Sequence, residues 1–168
     1  MSAAGIGTMT SALDRGDVDE AARQGALAGP ATVEAALGSS ARPAVLAGIA
    51  SAPVVEDRAE LLPALAHVAA GPDRRTAIPA ARAARTIARW LAAHELPDDL
   101  APADVEAWRA AFADLALARD HFVEVRLAAL DAANALAHVT DPSALGFDAA
   151  LATDPDPVVA AEAKSLQP

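Results

Sequence analysis

The 168-residue chain has no cysteine, no tyrosine, a single lysine, three phenylalanines and two tryptophans. Without cysteine there is no disulfide framework, no thiolate nucleophile and no Cys-ligated zinc or iron–sulfur cluster. Aromatics make up only 3% of the chain although apolar residues reach 54%. Alanine carries most of that fraction, so the core must come from close helix approach rather than from bulky side chains. No stretch approaches the ~18 to 20 uncharged apolar residues of a membrane span. Met1–Thr10 lacks the basic and apolar segments of a signal peptide. The expectation is a soluble, cytoplasmic protein, with a periplasmic or exported one as the alternative if a signal peptide was removed from a longer precursor. There is also no Gly-x-Ser-x-Gly and no phosphate-cradling glycine loop. No catalytic residue and no cofactor is therefore assigned.

A formal charge of −10 sets net repulsion against nucleic acid and disfavours it as a partner. Twelve arginines against Lys164 read as GC-rich codon usage, with a nucleic-acid or phosphate preference as the alternative. The length suits one compact domain. The apolar content is too high for wholesale disorder.

Turn signals cut the chain into helix-sized pieces: Gly29-Pro30, Gly38-Ser39-Ser40, Ala52-Pro53, Gly71-Pro72-Asp73, Leu96-Pro97-Asp98-Asp99, Asp141-Pro142-Ser143 and Asp154-Pro155-Asp156-Pro157. Strand alternation is absent. The pattern predicts helices near 17–28, 30–37, 41–51, 56–70, 75–93, 103–118, 122–138, 143–152 and 157–166, after a flexible N-terminus over 1–16. Asp17 with Glu20 reads as a capping-box variant, and Pro30 and Pro142 suit a first helical turn. Pro63 and Pro79 each mark a first turn or a kink. Short turns between helices are the signature of stacked antiparallel hairpins.

Four trios repeat one spacing: Val45, Ile49, Ala52; Ala77, Ala81, Ala84; Val125, Ala129, Ala132; and Val159, Ala163, Leu166. Each trio falls on one helix face. Ser40, Asp73, Asp120 and Asp154 precede them as capping or turn residues. The stretches Asp120-His-Phe-Val-Glu-Val-Arg126-Leu-Ala-Ala129-Leu-Asp-Ala-Ala-Asn-Ala-Leu136-Ala and Asp154-Pro-Asp-Pro-Val-Val159-Ala-Ala-Glu-Ala163-Lys-Ser-Leu166 resemble the second helices of HEAT repeats. Of the arginines that such units often carry after the valine, this chain has Arg126; Leu46, Ile78 and Ala160 take the equivalent places. The resemblance covers about residues 40–168. It implies an all-α fold: a short right-handed α-solenoid of antiparallel hairpins, about four units near 17–52, 56–95, 102–139 and 142–168, within one domain over 17–168. It also implies scaffolding rather than a reaction.

The helix over 75–93 carries Arg74, Arg75, Arg82, Arg85 and Arg89 within about 100° of one face. Ala77, Ala80, Ala84, Ile87, Ala88 and Leu91 take the other face. Residues 73–93 hold five arginines and one aspartate, a local +4 in a chain whose remainder is −14. By resemblance such a second helix lines a concave surface, so Arg75, Arg82, Arg85 and Arg89 are the candidate binding residues for an acidic or phosphorylated partner. The alternative is a solvated face paired within the chain to Asp98, Asp99, Asp104 or Glu106.

None of the four histidines has the company that a metal needs. His94-Glu95 lacks a second histidine, and the HEAT-like hydroxylases that bind iron use several His-Glu pairs. His121 and Glu124 offer two ligands without a third. His67 and His138 stand near helix ends, where an imidazole can meet terminal carbonyls. Trp90 and Trp108 read as packing residues, or as parts of a HEAT-like enzyme acting on a nucleobase or small cofactor. The function expected is a non-enzymatic module binding another protein. Self-association through an uncapped end such as the Leu166 face is a third option.

Overall fold

A computed structural model describes residues 3–94, 100–141 and 143–167, and every regular element among them is helical. No helix of the described residues is long and apolar enough to cross a membrane. The chain divides into two compact units, 1–83 and 84–168, where the length had suggested a single body.

The first unit begins with α1 (Ala3–Asp14), in the segment expected to be a flexible start. It packs on α2 (Val18–Ala28) and α4 (Arg42–Ser51), and its Met9 is fully buried. The glycines and hydroxyls that look like linker composition serve here as the thin side of a packed helix. Asp17 caps α2 as expected, accepting the Glu20 N–H at 2.9 Å. Glu20 does not close the box. Its carboxylate turns forward to Gln24 and Arg23, both at 2.6 Å. Pro30 opens α3 (Pro30–Leu37), and Pro63 stands in the first turn of α5 (Leu62–Ala69), which follows a 3-10 turn at Arg58–Leu61. Pro79 instead lies inside α6 (Arg74–Ala93) and denies the Arg75 carbonyl its donor.

Core closeness in this unit is set at Gly25 of α2. A Cβ there would stand 2.2 Å from the Cβ and Oγ of Ser51, so only glycine lets α2 and α4 approach this far. The buried Ser51 hydroxyl lies 2.8 Å from the Ala47 carbonyl and 3.1 Å from that of Ala21.

The unit boundary falls within α6. The second unit continues with α7 (Pro102–Leu117), α8 (Val123–Thr140), a 3-10 turn at Ala149–Thr153 and α9 (Pro157–Ser165). α7 and α8 form an extensively packed antiparallel pair. α8 is buried without a break from Ala128 to Ala137, which an alanine-rich surface permits because it brings backbones together on several sides.

One expectation fails here. A helix over 143–152 was expected, but only the short 3-10 turn forms, because tertiary packing outweighs propensity. Gly146 lies directly on α8, where a Cβ would be 2.1 Å from the Ala133 carbonyl oxygen. Its N–H points to Asn134 Oδ1 at 3.4 Å and its carbonyl takes Arg109 Nη1 at 3.0 Å. Pro142, expected to open that helix, lies outside the described residues. The cap of α9 is Asp156, accepting the Val158 and Val159 N–H groups, while Asp154 closes the turn before the helix by accepting the Asp156 N–H at 2.9 Å. Asp154 has a further task, described below. α8 and α4 start without a side-chain cap, so Asp120 and Ser40 do not cap them.

The trio positions are buried in both units, except that Leu166 stays half-exposed.

Candidate functional site

The arginine face of α6 keeps the geometry its spacing implies. Ala77, Ala80, Ala84, Ile87, Ala88 and Leu91 are fully buried, whereas Arg74, Arg75, Arg82 and Arg89 are exposed and Arg85 is half-buried. Arg85 and Arg89 are engaged within their own unit. Arg89 makes a two-pronged contact with Asp131 of α8, Nε to Oδ1 at 3.1 Å and Nη2 to Oδ2 at 2.5 Å. Arg85 Nε stands 3.8 Å from the same carboxylate. Asp131 is buried, so its charge needs this company. The acids expected to serve are differently placed: Asp98 and Asp99 lie outside the described residues, and Glu106 is bound by Arg109 on its own helix. That hydrogen bond from Arg109 holds the Glu106 carboxyl below its ordinary range. One sequence signal could have found Asp131, a lone acid in the apolar run Leu127–Ala137, whose burial calls for a cation.

At the start of α6 the surroundings differ. Arg75 and Asp73 belong to the first unit, where the Asp73 carboxylate accepts the Arg75 N–H at 3.0 Å and its main-chain carbonyl the N–H groups of Thr76 and Ala77. A cleft of about 300 Å³ opens beside them. Its apolar floor is Leu37, Val45, Val68 and Pro72; its rim carries Arg42, His67, Ser39, Ser40, Asp73 and Thr76. Arg42 Nη1 is 3.9 Å from Asp73 Oδ2, too far for a hydrogen bond. No sequence signal marks Arg42, since nothing local ties α4 to α6.

The histidines scatter. His67 is exposed on the last turn of α5. His94 stacks on Trp90, ring centroids 4.6 Å apart, with Nδ1 2.7 Å from the Trp90 carbonyl oxygen. His121 accepts the Phe122 N–H at Nδ1, 2.8 Å. His138 is exposed at the end of α8. Glu95 lies outside the described residues. Among the described residues no three of His, Asp and Glu are grouped to hold a metal ion. Trp90 and Trp108 are half-buried.

The strongest buried polar feature is Arg126, the arginine that carries the HEAT resemblance. Its side chain is 3% exposed, and so is that of Asp154, its partner. Nη1 and Nη2 reach the two Asp154 oxygens at 3.2 and 2.6 Å while Nε donates to the Ala116 carbonyl at 2.9 Å. The hydrogen bonds from Arg126 hold the Asp154 carboxyl below its ordinary range, against a smaller opposing effect of burial. This is joinery between α8 and the turn before α9, and its atoms are closed to a ligand.

No known protein family, no characterised protein and no solved structure matches the chain.

Proposed function

We propose that the protein is a non-enzymatic protein–protein interaction module, a HEAT-like α-solenoid of about four hairpins with right-handed stacking, that binds an acidic segment of another protein through the arginine face of α6. The observation that carries this reading is the division of α6 into a fully buried face and a cationic one, in a chain of net charge −10. A cationic field in an acidic body gives orientation and selectivity for an acidic partner. The repeat reading is supported by the Arg126–Asp154 pair, which ties the second helix of one hairpin to the turn that opens the next helix.

The geometry chooses the variant for the test. Reversing Arg85 or Arg89 would strand the buried Asp131, so a loss of binding there would mix a binding effect with a folding one. Arg75→Glu combined with Arg82→Glu leaves that pairing intact. A lysate pull-down read by mass spectrometry is expected to recover a partner with the unaltered protein and lose it with this double variant at equal helicity. Recovery of the same proteins by both would move the site off the arginine face.

A further inference from the structure

Helix N-termini favour carboxylates, because the macrodipole and the unpaired N–H groups there are positive. Two helices of the first unit nonetheless start on arginines, and only α6 has an acid, Asp73, turned to its first N–H groups. Arg42 is the first residue of α4, and Arg74 and Arg75 are the first two of α6. Neither helix has an acidic residue in its first turn. Asp73, the one acid of the cleft rim, is turned to the Arg75 N–H and reaches Arg42 only at 3.9 Å. Three arginines therefore stand in two helix N-terminal turns, where a cation is disfavoured, and Arg42 among them lines a 300 Å³ cleft with an aliphatic floor.

We infer that the cleft bounded by Arg42, His67, Thr76 and the Ser39–Ser40 turn is the anchoring pocket for an acidic–aliphatic peptide segment. A partner carboxylate forks onto Arg42, with Arg75 flanking, and a neighbouring aliphatic side chain lies on Leu37, Val45 and Val68. This rests on the interaction reading above and gives it an address: binding energy concentrates at the start of α6, while Arg85 and Arg89 stay with Asp131.

Fluorescence anisotropy with a labelled, end-blocked octapeptide alternating glutamate with leucine and serine tests it, beside the same peptide carrying glutamine. The unaltered protein is expected to prefer the glutamate peptide at least about tenfold, and Arg42→Glu or Arg75→Glu to abolish that preference. Arg75→Glu is also expected to keep or raise the melting temperature, since it puts an acid where α6 favours one. A drop in both binding and melting temperature in this variant would mark the arginine as structural and overturn the inference. Binding kept by Arg42→Glu but lost with Arg82→Glu would overturn the cleft and leave the arginine face in place. Indifference of the unaltered protein between the two peptides would overturn the cleft, while the pull-down above still decides the broader reading.

Discussion

The two units solve the problem of buried polarity in different ways. Among the described residues, 1–83 bury two polar side chains, Thr32 and Ser51, and both are hydroxyls placed on helix carbonyls. Residues 84–168 bury Arg126, Asp131 and Asn134. A hydroxyl in a helix finds its acceptor four residues back, so local geometry suffices. A buried charge finds none locally and must be met by an element distant in sequence, as Arg126 is by Asp154 and Asp131 by Arg89. Net charge follows the same division: seven basic against nine acidic residues in the first unit, six against fourteen in the second. The second unit thus trades tolerance for a packing that only one arrangement satisfies.

Both tryptophans, Trp90 and Trp108, lie in the second unit, so their emission follows that unit alone while circular dichroism follows both. The contrast breaks most sharply at Arg126. Arg126→Met leaves a buried carboxylate unpaired and should cost about 3–5 kcal/mol, seen as an early urea transition in tryptophan emission. Pairing it with Asp154→Leu should restore part of that loss, because no charge is then stranded. The pH dependence has a defined sign. A carboxyl whose folded pKa is depressed contributes stability above its unfolded pKa and loses it as pH falls through the folded value. Acid should therefore weaken the second unit below the ordinary carboxylate range, and Asp154→Asn should flatten that arm of the urea midpoint plotted against pH.

Next in size are the two contact glycines. Gly146→Ala drives a methyl into the rigid Ala133 backbone and is expected to destabilise the second unit by about 3 kcal/mol. Gly25→Ala meets a side chain, Ser51, and should cost about 2 kcal/mol, visible in dichroism but not in emission, with partial rescue by Ser51→Gly. Equal behaviour of the two in both signals would erase the distinction between the units. The smallest effect belongs to Arg89→Ala. Its side chain is 62% exposed and Arg85 remains 3.8 Å from the Asp131 carboxylate, so removing it without reversing the charge should cost about 1 kcal/mol.

Most helices were legible because their ends are written locally. Asp17 caps, Pro30 and Pro63 open first turns, and the alanine and valine trios face inward as their spacing requires. What escaped the sequence is non-local. α1 was missed since Gly5 and Gly7 look like a linker until Met9 is seen buried against Ser51. The segment 143–152 was misjudged because the demand on Gly146 comes from Ala133, thirteen residues away. In the candidate site, the periodicity of the arginines was readable but their fates were not. Nothing in the local pattern separates Arg89, clasped by an acid 42 residues onward, from Arg75, exposed in the first turn of α6.

Lys164, exposed in the last turn of α9, carries a practical consequence. It is the only lysine side chain, and it belongs to the second unit. Amine-reactive cross-linkers, acylating dyes and biotin esters will therefore mark one side chain, the α-amino group being the other reactive amine. The same reagents will be blind to the Arg42 cleft, whose rim offers guanidinium, imidazole and hydroxyl groups but no amine. A docking event there is better captured with arginine-directed dicarbonyls, whose modification a bound acidic segment would slow.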